Sequence, residues 1–454
     1  MRATNSPVRD RLIDHALEAE PAPGARASAR VWLEDTLAVG IAGCAHPDRP
    51  AIARVVQGFG DGSDARTLGD GIRWPRVSAA LLNAWQIHNQ EFDCVHETAV
   101  VHPMAVIGGS LLTWSDVQGG IDGQRLLDAI VVAVDAAATL GLMAIRPMRF
   151  FRPAMCGALG AVLGLSRLAT FDIQTTRKAL GLAWSQLSGN MQAHLEGSPA
   201  LAMQIGFNAR AAVGAVELAA AGVAGPEDSI DGPFGYLELI EGDFDPAPLA
   251  RIGRINAVAE ISHKPWPTGR AAHGALEGLR QLLAEGLEPE QVESLELAAP
   301  PLVRRLIDRP ARANMQPAYA RLCLPWLASV CLARGDIGLD DFTAKALSDR
   351  RRGQFTDRVT ITALDEDTDA NALAPQVLTV TTRAGQRHRH RLESVLGSPG
   401  RPLNDRARRA KAAACCDFAG LNRQRHAELL DAVTNVERCD DIRSLIDLTC
   451  PEAE

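Results

Sequence analysis

The pattern of hydrophobic and polar residues changes once along this chain, near residue 260. Before that point, apolar residues recur every three to four positions, which is typical of helices with one buried face. Helices are predicted at 10–20, 28–44, 77–90, 103–115, 124–142, 156–169, 174–191 and 204–221. Ser28 is predicted to cap the second helix. The glycine-rich residues 50–76 are predicted to be irregular, and nothing in the first half alternates like a strand.

The second half mixes two periodicities. Strict alternation of apolar and polar residues predicts strands at 291–299, 357–364, 376–382 and 386–392. Helical patterns are found at 271–285, 317–334, 339–349, 403–420 and 425–446. The sequence therefore predicts a mainly α protein. Residues 1–262 and 401–454 would form a large all-helical domain, and residues 263–400 a smaller α+β lid domain inserted before the C-terminal helices.

Composition narrows the functional class. The chain has 454 residues, enough for two or three domains, and its net charge of −8 argues against a nucleic-acid-binding surface. Nine cysteines without a Cys-x-x-Cys pair predict no disulfide framework. The first ten residues lack the apolar run of a signal peptide. The longest apolar stretch, 129–145, carries Asp135 and is too short to span a bilayer. We therefore expect a cytoplasmic protein without a membrane partner.

The residues best suited to chemistry are concentrated between His88 and Pro103. This stretch contains three of the eleven histidines and three carboxylates, and it connects two apolar helical patterns. Pro103 fits the first turn of the second helix, where a missing N–H costs nothing. Asp93, His96 and His102 would then lie on a loop held by two rigid elements, which is a favourable place for a catalytic site.

Four stretches of the sequence resemble the MmgE/PrpD family. The resemblance begins with His88, Glu91-Phe92-Asp93, His96 and His102-Pro103, and it continues through Glu196-Gly197 with Gly206-Phe-Asn-Ala-Arg. Lys264-Pro-Trp-Pro-Thr-Gly-Arg-Ala-Ala-His273 and Leu396-Gly-Ser-Pro-Gly-Arg-Pro-Leu complete it in the family's order. The family includes 2-methylcitrate dehydratase, cis-aconitate decarboxylase and iminodisuccinate epimerase. The resemblance implies a helical body with a lid, a homodimer, and chemistry without a cofactor or a catalytic metal.

The reactions of this family build negative charge on a carbon next to a carboxylate, so they need a positioned acid or base and cations. On the resemblance, the residues predicted to be catalytic are Asp93, His102, Lys264 and His273. Those predicted to bind substrate are His96, Arg152, Gln204, Arg270 and Trp326. The residues alone leave an alternative open, in which Asp93 caps a helix and His102 is a structural buried histidine.

Some positions depart from the family's pattern. Arg152 stands where the family often has histidine, Leu201 where it often has lysine, and Trp326 where it has tyrosine. An arginine can hold a carboxylate through two hydrogen bonds but cannot shuttle a proton near pH 7. Cys323 and Gly269 also differ from the pattern. These departures put a strict 2-methylcitrate dehydratase or cis-aconitate decarboxylase activity in doubt and favour a different substrate.

Two other kinds of site fit the sequence less well. Asp93, His96 and His102 could be imagined as metal ligands, but their spacing is not diagnostic. Gly157, Gly160 and Gly164 follow no predicted strand, so they suit close helix packing better than nucleotide binding. The resemblance therefore favours a cofactor-independent hydro-lyase acting on a small di- or tricarboxylate. An epimerase, a decarboxylase and a non-catalytic carboxylate-binding relative remain alternatives.

Overall fold

Helices make up 56% of the computed structural model and strands 9%, which confirms the predicted mainly α class. The structure describes residues 7–452. Residues 1–6, on which the expectation of no signal peptide partly depends, lie outside this range. Among the described residues, none of the helices combines the length and the apolar character that crossing a membrane requires.

The first half of the described chain is built almost entirely from helices. In chain order they are α1 (Pro7–Glu18), α2 (Pro23–Cys44), α3 (Arg49–Gln57), α4 (Arg76–His88), α5 (Pro103–Gln118), α6 (Gly123–Leu142), α7 (Arg152–Leu168), α8 (Ile173–Trp184), α9 (Gln192–Glu196) and α10 (Ala200–Ala220). The predicted boundaries of α4 and α5 are confirmed to within a few residues. The loop between them therefore lies where the sequence placed it.

Three local predictions were wrong. The segment 50–76 contains most of α3 and an antiparallel hairpin of β1 (Ala65–Arg66) and β2 (Arg73–Trp74), whose two-residue strands are too short to alternate. Ser28 does not cap α2, because proline at the first position starts that helix at Pro23. The helix predicted over 174–191 ends at Trp184, and a loop separates it from α9.

Small residues bring the helices of the body close together. A Cβ atom at Gly160 of α7 would lie 2.4 Å from the carbonyl oxygen of Ala133 in α6, so only glycine permits this approach. Gly164 faces Ala129 and Ala133 in the same way, one turn further along. The prediction that these glycines serve helix packing is confirmed.

The second half contributes a mixed four-stranded sheet with helices around it. The strands are β3 (Val292–Ala299), β4 (Val359–Ala363), β5 (Gln376–Thr382) and β6 (Arg387–Leu392), in the spatial order β4-β3-β5-β6. β3 pairs parallel with β4 and antiparallel with β5. The accompanying helices are α11 (His273–Ala284), α12 (Pro301–Ile307), α13 (Pro317–Ala320), α14 (Leu324–Arg334) and α15 (Ala344–Leu347).

The last three helices return to the first half of the chain. They are α16 (Asp405–Ala419), α17 (Arg423–Thr434) and α18 (Arg443–Leu448). α16 packs along α2, where Lys411 forms a buried ion pair of 2.6 Å with Asp35. The exact division at residues 263 and 401 stays a prediction. The described chain nevertheless places the loop between α4 and α5 next to the insert and next to α16.

Candidate active site

The loop between α4 and α5 is anchored from two distant parts of the chain. Val95 and Ser262 form an antiparallel bridge, in which their backbone N–H groups donate across 3.0 and 2.7 Å. Lys411 of α16 donates to the carbonyl oxygen of Phe92 across 2.7 Å. These contacts fix the backbone on both sides of Asp93.

Two residues of this loop have strained backbones. Glu91 and Val100 adopt left-handed φ angles of 49° and 51°, a region in which a side chain costs of the order of 1 kcal/mol or more. The strain at Glu91 reverses the chain just after α4. The side chains of His88, Glu91 and Asp93 therefore come together on one side of the loop.

Asp93 lies at the centre of this group. Its Oδ2 atom is 3.0 Å from Nδ1 of His88 and 3.0 Å from Nδ1 of His102, and its side chain is almost fully buried. An ionised carboxylate can only accept hydrogen bonds, so both imidazoles must carry their Nδ1 proton. The neutral form of either ring then has its lone pair on Nε2.

The two imidazoles have opposite pKa shifts. Burial, together with the positive charges of Lys264 and His88, outweighs Asp93 and lowers the pKa of His102 below its ordinary value. Burial also lowers the pKa of His88, but the charges of Asp93 and Glu91 outweigh it, and the pKa ends above its ordinary value. Environments that push two pKa values apart assign the proton to one partner. We therefore expect a neutral His102 beside a protonated His88.

Lys264 places one positive charge beside both Glu91 and Asp93. Its Nζ donates to Oε2 of Glu91 across 2.8 Å and to the Glu91 carbonyl across 3.1 Å, and it lies 3.6 Å from Oδ1 of Asp93. Burial raises the pKa of Glu91, but Lys264 and the two imidazoles overcome this and bring the pKa to about 2. The same cations hold the pKa of Asp93 well below its usual range against its burial. Both acids are thus charged at neutral pH.

His88, Glu91 and His102 of this cluster border a small cavity of about 60 Å³. Its polar lining comprises His88, Glu91, His102, His194 and Arg270. Its apolar lining comes both from the helical body and from the insert: Val95, Val100, Met148, Phe151, Leu201, Leu306, Leu322 and Leu373. This volume is well below the roughly 300–1,000 Å³ of most small-molecule ligand sites. A tricarboxylate needs more room than this.

The structure brings four of the nine predicted site residues to this place. Asp93, His102 and Lys264 form the charged cluster, and Arg270 lines the cavity. The guanidinium of Arg270 is already engaged, because Nη2 and Nε lie 2.7 and 3.0 Å from Oε1 of Glu97. Its Nη1 donates to the carbonyl of Leu396 across 2.7 Å. Arg270 therefore connects the insert to the loop between α4 and α5.

Two of the predicted histidines lie away from the cavity lining. His273 is fully buried behind Arg270, with Nδ1 3.2 Å from Nη1 of Arg270. Burial and the charge of Arg270 hold the pKa of His273 well below its ordinary value. His96 points towards Glu260, with 3.4 Å between Nε2 and the carboxylate. Their predicted roles stay predictions, and the structure gives neither residue a contact with Asp93.

The remaining three predicted residues are engaged elsewhere. Arg152 holds the buried Glu241 through Nε and Nη2. Gln204 accepts a hydrogen bond from the backbone N–H of Asn190 at 2.6 Å. Trp326 lies buried in α14, and its Nε1 makes no hydrogen bond within the described residues. Their predicted contacts with substrate also stay untested.

The residues predicted to be catalytic or to bind substrate do not include His88, Glu91 or His194, although all three line the cavity. His88 and Glu91 are part of the motif that carries the family resemblance, and their spacing from Asp93 was the available signal. His194 comes two residues before Glu196-Gly197, which marks the segment without identifying the histidine. Leu201 and Gly269, two of the positions that depart from the family's pattern, also line the cavity.

The same cluster can be considered as a metal site. One ligand atom each from His88, Asp93 and His102 lies within 4.8 Å of the others, whereas His96 is not part of the set. The ammonium of Lys264, 3.6 Å from Asp93, already supplies a positive charge at this point. Both Nδ1–H groups point towards Asp93, which favours a hydrogen-bonded proton relay over a metal site.

Models of known protein families match both halves of the chain. A family model described as MmgE/PrpD N-terminal domain matches residues 13–249, and one described as MmgE/PrpD C-terminal domain matches residues 266–436. The first match covers the Asp93 loop and His194, and the second begins at Trp266 and covers Arg270. A search of curated proteins finds no match.

Proposed function

The chain belongs to the MmgE/PrpD family, which includes hydro-lyases and related enzymes, and we propose that it is a cofactor-independent hydro-lyase of the 2-methylcitrate dehydratase type. Its substrate would be a small di- or tricarboxylate. The observation that carries the proposal is the single carboxylate oxygen of Asp93 shared by two imidazoles with opposite pKa shifts. This arrangement supplies a base and an acid at one cavity.

His102 acts as the base. Asp93 fixes its Nδ1–H, which leaves the Nε2 lone pair available, and its lowered pKa keeps the ring neutral at physiological pH. In the proposed reaction, Nε2 takes a proton from a carbon next to a substrate carboxylate, and the electron pair of the broken C–H bond forms the new C=C bond. The Asp93 carboxylate stabilises the imidazolium that results.

His88 acts as the acid. Its raised pKa favours the protonated ring, and its Nε2 makes no hydrogen bond within the described residues. As the C–O bond breaks, the leaving hydroxyl takes the Nε2 proton and departs as water. The products are an unsaturated carboxylate and water, so atoms and charge balance. The rings lie edge to face with centroids 5.0 Å apart, which lets both contact one small substrate.

Lys264 and Glu91 support these two histidines. Lys264 keeps Asp93 and Glu91 ionised, and Glu91 lies 3.7 Å from Nε2 of His88, where its charge favours the protonated ring. Without the charges of Asp93 and Glu91, burial and the positive charge of Lys264 would lower the pKa of His88 and remove its proton. Lys264 does not line the cavity, so it acts on the site through its charge and does not contact the substrate.

Two alternative reactions use the same groups. An epimerase would return a proton from His88 to the opposite face of the carbon, and a decarboxylase would break a C–C bond before that protonation. A non-catalytic carboxylate-binding relative would leave the proton relay unused. The paired histidines favour proton transfer over binding alone, because binding needs no fixed lone pair.

Substrate access requires the cavity to widen. Gly269, Arg270 and Leu373 of the insert line one side, while His102 and Leu201 line the other. A movement of the insert away from the helical body would open the space between them, and its return would exclude water from the reaction. The lid role of the insert is part of the proposal.

The proposal also includes a homodimer in the cytoplasm. Phe207 and Leu218 are eleven residues apart on one face of α10, and each leaves about 42% of its surface exposed. A second copy would cover these apolar side chains. Light scattering should give twice 48.5 kDa, whereas a value of 48.5 kDa would remove the dimer from the proposal. The nine cysteines are free thiols, as suits a reducing compartment.

The test is incubation with a panel of hydroxylated and unsaturated di- and tricarboxylates in deuterated water, followed by NMR. A hydro-lyase gives new vinyl signals from one hydroxy acid. Exchange at a single C–H with inversion indicates the epimerase, and loss of carbon dioxide indicates the decarboxylase. Line broadening alone across the panel would contradict the proposed enzyme.

A further inference from the structure

Among the described polar side chains that line the cavity, His194 has no part in the proposed mechanism and, unlike Arg270, forms no ion pair with a carboxylate. It lies in α9, is 6% exposed, and lines the same cavity as His102, Glu91 and Arg270. Its Nε2 makes no hydrogen bond within residues 7–452. A ring nitrogen that lies at a cavity surface and has no protein partner is suited to bind a ligand.

Arg309 determines which nitrogen of His194 carries the proton. Its Nη2 donates to the carbonyl oxygen of His194 across 2.9 Å and lies 3.4 Å from Nδ1 of the ring. Nη2 also donates to the carbonyl oxygen of Leu306 across 3.2 Å, so its two N–H groups are shared among three acceptors. Because a guanidinium can only donate, its contact with Nδ1 favours the tautomer that has the lone pair on Nδ1. The proton of the neutral ring is then on Nε2, the nitrogen that remains for the cavity.

Arg309 adds an uncompensated positive charge behind this imidazole. Within the described chain it forms no ion pair with a carboxylate, and its buried Nη1 makes no hydrogen bond. Gly197 makes room for it, because a Cβ at this residue would lie 2.7 Å from Nη1 of Arg309 and 2.6 Å from the ring of Tyr319. This end of the cavity therefore favours an anion.

Burial and the neighbouring positive charges keep the His194 ring neutral. Burial contributes most, and Arg309 and Arg305 of the insert add to it, so the pKa of His194 falls to about 3. The charge of Glu91 acts in the opposite direction and that of His102 in the same direction, which places both within electrostatic reach across the cavity. A ring of this kind donates a hydrogen bond without exchanging its proton near neutral pH.

We propose that His194 binds a substrate carboxylate through its Nε2–H, with Arg309 as the positioning residue that fixes the tautomer and supplies the positive charge. This inference rests on the proposed function, since it takes the ligand of the cavity to be a carboxylate. Lys264 and Arg270 are already paired with Glu91 and Glu97, so they leave the charge of an incoming acid unbalanced. Arg309 offsets one of these negative charges, and the neutral His194 ring donates a hydrogen bond to the same carboxylate.

The probe is tricarballylate, a saturated tricarboxylate with no hydroxyl group to lose, titrated into protein with ¹⁵N-labelled histidine. We expect the His194 resonances to show the Nε2–H tautomer and to shift on binding. His194→Leu should weaken binding by roughly ten- to hundredfold, as for a hydrogen bond to a charged group. His194→Gln keeps an N–H donor and should bind within about threefold of the wild type.

Arg309→Met tests the positioning role separately. Removing the guanidinium should raise the pH at which His194 titrates, and Arg309→Lys should restore most of the depression, an effect that a structural role alone would not produce. A probe that shifts His102 but leaves His194 unchanged overturns the His194 assignment and keeps the proposed function. A probe that shifts neither overturns both. An Nδ1–H tautomer, or wild-type affinity in His194→Leu, also overturns the assignment.

Discussion

Arg152 holds Glu241 with two hydrogen bonds, from Nε at 3.0 Å and from Nη2 at 3.1 Å, where both side chains are almost completely buried. Tyr236 donates to the same carboxylate across 2.6 Å. Arg152→Ala would leave a buried carboxylate without its cation, which costs about 3–5 kcal/mol. We expect that loss in the free energy of unfolding measured with urea, with little change in KM.

The matched control for this substitution is Arg383→Ala. Arg383 lies 3.8 Å from Glu293 in an exposed ion pair, and such pairs contribute about 0–1 kcal/mol. A large rise in KM for Arg152→Ala with unchanged stability would instead assign Arg152 to the substrate, as the sequence predicts.

Lys264→Met should destabilise the protein and change its response to acid. The substitution leaves Glu91 and Asp93 buried without their shared cation, at a cost of about 3–5 kcal/mol. Because the pKa of Glu91 is depressed to about 2, its contribution to stability is present above its ordinary pKa of 4.5 and is lost as the pH falls towards 2. Without Lys264 the pKa of Glu91 in the folded protein should rise towards 4.5, so less stability should be lost as the pH falls from 7 to 4.

Adding Glu91→Gln to Lys264→Met should recover part of the stability, since one buried charge is removed with the other. Urea unfolding at pH 7 and pH 4 measures both effects. Equal destabilisation by the single and the double variant would show that the ion pair is not the cause.

The pH dependence of kcat/KM reports the protonation of the two histidines. His102 must be neutral and its pKa is lowered, so the acid limb should lie below the ordinary value of 6.5. His88 must be protonated and its pKa is raised, so the basic limb should lie above 6.5. A plateau across neutral pH is therefore expected. An optimum confined to a narrow peak near 6.5 would contradict the opposite shifts.

Chelation should leave activity unchanged. The three ligand atoms of His88, Asp93 and His102 are close enough for a metal ion, but in the proposed mechanism they form hydrogen bonds, with Lys264 as the local cation. The measurement is turnover after exhaustive EDTA treatment, together with elemental analysis of the purified protein. Activity that disappears and returns only with one divalent ion would assign the cluster to a metal.

The sequence predicted those features whose cause is local. Helices α4 and α5 follow from apolar periodicity and Pro103, and they bring Asp93 and His102 to one loop, nine residues apart. The partner of Arg152 is Glu241, 89 residues away, and no pattern connects them. The role of His88 depends on the strained turn at Glu91. The proposed role of His194 depends on Arg309, which lies 115 residues further along the chain.

In the proposed mechanism, Asp93 and His102 move a proton at a carbon next to a carboxylate. Deuterium incorporation at that carbon, followed by NMR in deuterated water, tests it most directly. Asp93→Asn and His102→Gln should each slow exchange by roughly 10²–10⁴, and the double variant should be little slower than either. His390→Gln on β6 should match the wild type. Wild-type exchange in either single variant, or fully additive losses, would contradict the account.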